Sequence, residues 1–325
     1  MTADAILDVD LLAFERGSST ERAAVVDGVR RSLTTGFVYT THDLPTDLLD
    51  TTYEMLAEFF ALAPETKSRW TIPGSNGQRG YTGLLVETAA IAGAPDWKEM
   101  FNWGHPVPEG HPLRVAYPHR YLDAVFPEGD VPGIGKALSE VHDRLGALLR
   151  RFLRVIAVGL GAHEDVFEFA TAGGPDLSRA IHYPPMPAAP GPEHVWADEH
   201  GDINLITALP RATARGLQVK TDDGWIDAVA PPDYAIINTG IMLDRISNGL
   251  IPTGIHRVVA DPEETTDRAS IVTFCHPTPR TILAPLPSCV TPDNPQRHQP
   301  VEAGALFDQV LWEINLVEDR RRLTE

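Results

Sequence analysis

Cysteine is scarce: Cys275 and Cys289 are the only two in 325 residues, and neither belongs to a CxxC pair. That excludes a disulfide framework and a thiol-bound zinc or redox centre, and it fits a reducing, cytoplasmic setting. Basic charge is also short, with 27 Lys and Arg against 45 Asp and Glu and a formal net charge of −18. No Lys/Arg run is dense enough to track a phosphate backbone, so nucleic acid is not an expected partner. No apolar run reaches the roughly 18 residues of a membrane span, and the first segment, MTADAILDVDLLAFERG, carries acids where a secretory signal needs a basic start. No membrane partner is expected either. Low-complexity tracts are absent too, since the 28 prolines and 26 glycines are scattered as turn residues.

What remains is an ordinary globular balance, 43% hydrophobic and 22% charged, with apolar material for a large core. Ser18, Ser19 and Thr20 offer a cap to ERAAVVDGVRRSL, where Val25, Val29 and Leu33 share a helical face. A short apolar segment, GFVYTTHDLP (36–45), precedes a second helical stretch, LLDTTYEMLAEFFAL. Between about 136 and 160, Leu138, Val141, Leu145, Leu149, Phe152 and Ile156 form one stripe, which predicts a long amphipathic helix.

The texture changes near Arg179. AIHYPPM, DINLITAL, GLQVK, WIDAV, YAIINTG, GIHRVV and SIVTFCHP follow as short β-branched runs parted by turn residues. TDDGWID (221–227) joins two of them with an Asp-Gly pair, a hairpin signal that favours antiparallel strands in a closed barrel or sandwich. ALFDQVLWEINLVEDRRR (305–322) reads as a closing amphipathic helix.

Two His-x-Asp pairs compete as metal ligands. His163 and Asp165 follow the long helix, where Asp165 is placed to cap the next turn, so a structural role suffices. His200 and Asp202 instead lead into INLITAL, and residues two apart on a strand point to the same side. A third ligand, His256, stands on a later expected strand, GIHRVV. Two imidazoles and one carboxylate on one face of an iron leave other positions open, which suits Fe(II) oxygen chemistry better than a closed zinc site. Arg268 and Ser270, opening another strand, pair a guanidinium with a hydroxyl that can clamp a carboxylate, and Tyr183 can add a phenolic donor.

Taken together these residues resemble the isopenicillin N synthase-like branch of the Fe(II)- and 2-oxoglutarate-dependent dioxygenases. The resemblance covers about residues 5 to 320 and is carried, in family order, by GFVYTTH, DWKEMF (96–101), HYPP (182–185), HGDINLIT (200–207), GLQVKTDDGWIDA, INTGIMLDRISNGLIPTGIHRVV (237–259) and RAS (268–270). It implies a mainly β fold with flanking α: a double-stranded β-helix (jelly-roll) core, a helical N-terminal region and a C-terminal helix. Residues 1–325 are then one oxygenase domain, with a mainly helical flank and some barrel-edge strands over 1–178, the core with its metal site over 179–280, and a C-terminal segment and helix over 281–325.

The resemblance further implies that His200, Asp202 and His256 bind Fe(II), that Arg268 and Ser270 hold the distal carboxylate of 2-oxoglutarate with help from Tyr183, and that O2 is consumed. Flanking loops over the barrel mouth would supply substrate contacts, with Arg79, Tyr81 and Phe101 as candidates. Asn248 and Arg257 match recurrent positions with sufficient structural explanations. Asp202 stands where related halogenating enzymes have a small residue, which disfavours halogenation. Two departures are Ile181, where some members carry an asparagine, and Ile241, where an acid is frequent. The expected activity is oxidation, by default hydroxylation, of a small molecule in secondary or amino-acid metabolism, with succinate and CO2 as co-products. Isopenicillin N synthase shares the triad and the Arg-x-Ser pair without using 2-oxoglutarate, so a co-substrate-independent oxidase is one alternative. A non-catalytic small-molecule binding protein on the same scaffold is the other.

Overall fold

The structure is a computed structural model that describes residues 6–87 and 94–313. In chain order the strands of the two main sheets are β1 (Asp8–Val9), β2 (Phe37–Thr41), β3 (Gly80–Thr82), β4 (Glu99–Trp103), β5 (Leu177–Tyr183), β6 (Ala197–His200), β7 (Ile206–Leu209), β8 (Leu217–Thr221), β9 (Gly224–Asp227), β10 (Tyr234–Thr239), β11 (His256–Val258) and β12 (Arg268–Cys275). Eight of them form one sheet in the order β1-β2-β10-β7-β12-β5-β4-β3, and four form a smaller facing sheet, β6-β11-β8-β9. Except for the parallel pair β1 and β2, these neighbours run antiparallel. The two sheets make the jelly-roll core of the fold.

The apolar stripe of the long helix, Ile134–Gly159, decides how the N-terminal half packs. Leu138, Val141, Leu145, Leu149, Phe152 and Ile156 are fully buried and join one core with Ile206, Ala208 and Ile271 of the large sheet. The Trp103 indole donates to the Leu138 carbonyl at 2.8 Å, fixing this helix against β4. Helices Ser19–Ser32 and Thr46–Phe60 pack on the same helix, and Ser18 and Glu21 close a reciprocal capping box at the start of the first. A second apolar cluster, with Phe37, Tyr183, Trp196, Val219 and Val258, fills part of the space between the sheets.

Two expectations change in detail. The hairpin between β8 and β9 forms, but Thr221 pairs with Gly224, so Asp222 and Asp223 make the turn and the glycine opens the strand at φ +116°. The segment HGDINLITAL is not one strand. It ends β6 at His200, crosses between the sheets through residues 201–205, and resumes as β7 at Ile206 in the other sheet. Gly240 permits that crossing, since a Cβ there would stand 2.2 Å from the Asn204 carbonyl oxygen and 2.9 Å from that of Asp202. The closing helix runs Ala303–Glu313, and the remainder of the expected 305–322 helix lies outside the described residues.

Candidate active site

The crossing places the acid. His200 ends β6, and His256 opens β11 directly opposite it in the antiparallel pair. Their rings lie 4.3 Å apart between centroids, and Asp202 comes from the crossing that leaves His200 for the other sheet. One ligand atom from each of the three side chains lies within 4.8 Å of the others. No other group of this kind occurs among the described residues. His163 and Asp165 sit on the surface, 3.8 Å apart.

The donor set fits a divalent metal. His200 Nδ1 donates to the Asp198 carbonyl at 2.7 Å, and His256 Nδ1 donates to the Gly254 carbonyl at 3.0 Å. A carbonyl only accepts, so each Nδ1 carries the proton and each Nε2 is left with its lone pair free. Burial, then the nearby His256 and Lys98 charges, push the His200 pKa down to about 3, so the ring is neutral and ready to ligate at physiological pH. Asp202 is oriented through one oxygen: Oδ2 accepts from Thr207 Oγ1 at 2.5 Å and from Asn238 Nδ2 at 2.7 Å. Burial alone would raise its pKa, yet His256, His200 and these two donors outweigh that and hold the carboxyl below its ordinary value. Asn238 and Thr207 had no distinguishing signal of their own; only their places in INTG and INLIT, one strand apart, hinted at them.

Phe37 fixes the far side of His256, edge to face at 5.7 Å between ring centroids. Gly36, at φ +78°, allows this approach because a Cβ there would stand 2.4 Å from the Gly254 Cα.

A cavity of about 430 Å³ opens from the triad between the sheets. Arg268 and Ser270 line it from β12, and Tyr183, directly opposite Arg268 on β5, lines it too. The Arg268 side chain is 1% exposed. Its Nε donates to the Ala214 carbonyl at 3.2 Å, Nη1 donates to Ser270 Oγ at 3.2 Å, and the guanidinium carbon stands 5.0 Å from the centre of the Tyr183 ring. Among the described residues no carboxylate lies within ion-pair distance of it. A buried cation with only neutral partners is costly until an anion joins it, and the planar guanidinium fork has the geometry to take a carboxylate. Ile181 and Ile241, the two departures from the family pattern, also line the cavity and make apolar wall there.

The three candidate substrate residues are placed elsewhere. Tyr81 and Phe101, opposite each other on β3 and β4, pack with Phe59 in the core beneath the helices, and the Tyr81 hydroxyl donates to Glu99. Arg79 is buried with its Nη1 donating to the Gln78 carbonyl at 2.7 Å, and it faces a small pocket behind the main cavity. Their neighbours line the cavity instead: Gln78 beside Arg79, and Lys98 with Asp96 just before β4. Gln78, Asp96 and Lys98 lie in the irregular segments that lead into β3 and β4, which turn them toward the cavity while Tyr81 and Phe101 face the core. Phe307, Val310, Leu311 and Glu313 of the last helix complete the wall. Asn248, at φ 53°, donates to the carbonyls of Cys289, Asn294 and Pro295, and Arg257 bonds Gln218 and covers Trp225, both outside the cavity.

Comparison with known proteins gives this geometry a family. Residues 7–128 match the N-terminal family described as non-haem dioxygenase in morphine synthesis, and residues 175–277 match the 2OG-Fe(II) oxygenase superfamily. Azadirone synthase LFS of Melia azedarach is 30% identical over 279 residues, covering 82% of this chain and 81% of that one. The 2-oxoglutarate-dependent dioxygenase citB of Monascus ruber is 29% identical over 282 residues, covering 82% and 83%. A full-length Neurospora crassa protein, crystallised in complex with alpha-KG and thymine, superposes with a TM-score of 0.83 at 26% identity, covering 96% of this chain and 97% of that one. This chain belongs to the 2-oxoglutarate- and Fe(II)-dependent oxygenase superfamily and is a dioxygenase that uses Fe(II), 2-oxoglutarate and O2.

Proposed function

We propose that the protein hydroxylates a C–H bond of a small organic molecule in secondary or amino-acid metabolism, giving succinate and CO2 as co-products. His200, Asp202 and His256 are the iron ligands in this reading, and Arg268 with Ser270 grips the distal carboxylate of 2-oxoglutarate over the Tyr183 ring. The observation that carries it is that a metal-ready triad and an unpaired buried guanidinium face one cavity. Bound Fe(II) with 2-oxoglutarate supplies the activation of dioxygen. The chain's own residues do the rest. The Asp198 and Gly254 carbonyls fix the imidazoles, Thr207 and Asn238 turn the Asp202 carboxylate, and the apolar walls from Ile181, Ile241 and Phe307 keep water from the reacting centre. With iron bound, the Asp202 carboxylate would fill the place that chloride would need, which favours hydroxylation over halogenation. Small ligands in related proteins, such as thymine in the Neurospora crassa complex, support a small-molecule substrate.

The test is stoichiometric. With Fe(II), ascorbate, 2-oxoglutarate and O2, a true substrate drives succinate formation in a one-to-one ratio with oxidised product, and Asp202→Ala abolishes both Fe(II) binding and turnover. Substrate oxidation that proceeds without 2-oxoglutarate, or tight small-molecule binding with no O2 consumption, refutes the proposal.

A further inference from the structure

Four charged side chains at one end of the cavity take no part in holding the metal or the co-substrate. Lys98 Nζ lies 2.8 Å from Asp96 Oδ2 and 3.3 Å from Glu87 Oε2, and none of these side chains is more than 13% exposed. Arg179, on β5, donates through Nε to Asn102 Oδ1 at 2.7 Å and through Nη2 to the Gly77 carbonyl at 3.3 Å. Its remaining nitrogen, Nη1, stands 3.6 Å from Glu87 Oε1, beyond hydrogen-bond length. Among the described residues that buried Oε1 has no hydrogen-bond partner at all. A buried carboxylate oxygen left without a donor costs free energy unless a ligand or water supplies one. Glu87 and Arg179 both line the cavity, so a small rotation of the Glu87 side chain toward it sets an acceptor beside a donor.

The cluster also constrains the ligand's charge and shape. Two cations and two carboxylates cancel, so a neutral ligand leaves no uncompensated buried charge, whereas an ion would. An open-chain trans amide points its N–H and C=O in opposite directions and cannot engage both groups. A cis amide held in a ring puts them on one edge, with N and O about 2.3 Å apart by standard bond lengths, within reach of both Oε1 and Nη1. Phe274, whose ring centre is 5.5 Å from the Arg179 guanidinium carbon, lines the same region and offers a flat apolar surface. The cluster and the triad line the same cavity.

We propose that Glu87 and Arg179 form the substrate-recognition end of the cavity and select a neutral planar ring with a cis-amide edge, as in a lactam, a cyclic imide or a pyrimidinone. The inference rests on the reading of the triad and the Arg268 pocket as the oxygenase centre.

The experiment is calorimetric titration, under argon, of the Fe(II) and 2-oxoglutarate-loaded protein with uracil and glutarimide and with their N-methylated forms, 1,3-dimethyluracil and N-methylglutarimide. At least one probe with a free N–H binds, and its N-methylated form binds about tenfold weaker, the loss expected for one hydrogen bond to a charged acceptor. Glu87→Leu lowers the affinity of the free N–H probe by a similar factor, and Glu87→Gln, which keeps an acceptor, recovers most of it. Equal binding of both forms overturns the proposal, as does failure of every free N–H probe to bind protein that has taken up 2-oxoglutarate. The comparison between probes needs no variant to fold. A protein that takes up no 2-oxoglutarate overturns the underlying reading of the Arg268 pocket, and this inference with it.

Discussion

Replacing Arg268 with methionine separates a co-substrate clamp from a structural arginine. The guanidinium is buried but engages only the Ala214 carbonyl and the Ser270 hydroxyl, with no carboxylate among the described residues to neutralise it. Methionine is close in length and adaptable in shape, so the variant fills the same space while relieving a buried charge. Against that gain stand two lost hydrogen bonds of about 1 kcal/mol each, which leaves the thermal stability of the protein without 2-oxoglutarate close to its starting value. Two charge-assisted bonds to the co-substrate carboxylate, at roughly 1.5 kcal/mol each, amount to about 3 kcal/mol, or a rise of about 10²-fold in the KM for 2-oxoglutarate. The assay is succinate formation against 2-oxoglutarate concentration, with Fe(II) affinity measured in parallel by competition with a chelator. The increase in Tm that saturating 2-oxoglutarate gives the parent protein should vanish over the same concentration range. An unchanged KM, or loss of Fe(II) binding with 2-oxoglutarate affinity intact, would show that Arg268 does not hold the co-substrate.

Asn238→Leu removes one of the two donors that turn Asp202, and the Fe(II) dissociation constant should rise about 10- to 100-fold with little change in the 2-oxoglutarate KM at saturating iron; a metal affinity within twofold of the parent refutes this orienting role. A distinct acid response is also expected, because burial pushes His142 and His276 down to about 3 while it pushes Asp176 up to about 6. The histidines contribute stability that is full above their unfolded value near 6.5 and is lost as pH falls toward 3, whereas Asp176 gains relative stability as pH falls from about 6 toward 3.8. Among these three groups two protons against one contribute a net loss of ~1.4 kcal/mol per pH unit between about 6 and 4, to which the buried His200 adds in the metal-free protein, and urea unfolding at stepped pH measures the total. His142→Phe should flatten that slope, and a slope that stays the same in this variant would remove His142 from the account.

The elements that could be read from the chain are those whose signal is local. The stripe from Leu138 to Ile156 needs only helical periodicity, and the hairpin at Asp222 needs only turn chemistry, so both appear where the pattern places them. The convergence of His200, Asp202 and His256 was legible for a different reason: an ordered series of motifs carries information about long-range pairing that no single stretch contains. What escaped was set by register. HGDINLITAL looks continuous because Leu205 and Ile206 carry the apolar pattern through the break, and the crossing itself is permitted by the distant Gly240. Gln78 and Lys98 line the cavity in place of the expected Arg79 and Phe101, because they lie in the irregular segments that lead into β3 and β4, whose direction no periodicity gives. The recognition pair shows the same limit most clearly. Arg179 stands opposite Asn102 across β5 and β4, the Glu87 carbonyl accepts from the Asp96 amide, and these two links bring an arginine and a glutamate 92 positions apart to one wall. Neither residue lies in a motif with chemistry of its own. Their meaning comes from an acceptor left without a donor, and that is a property of the packed cavity.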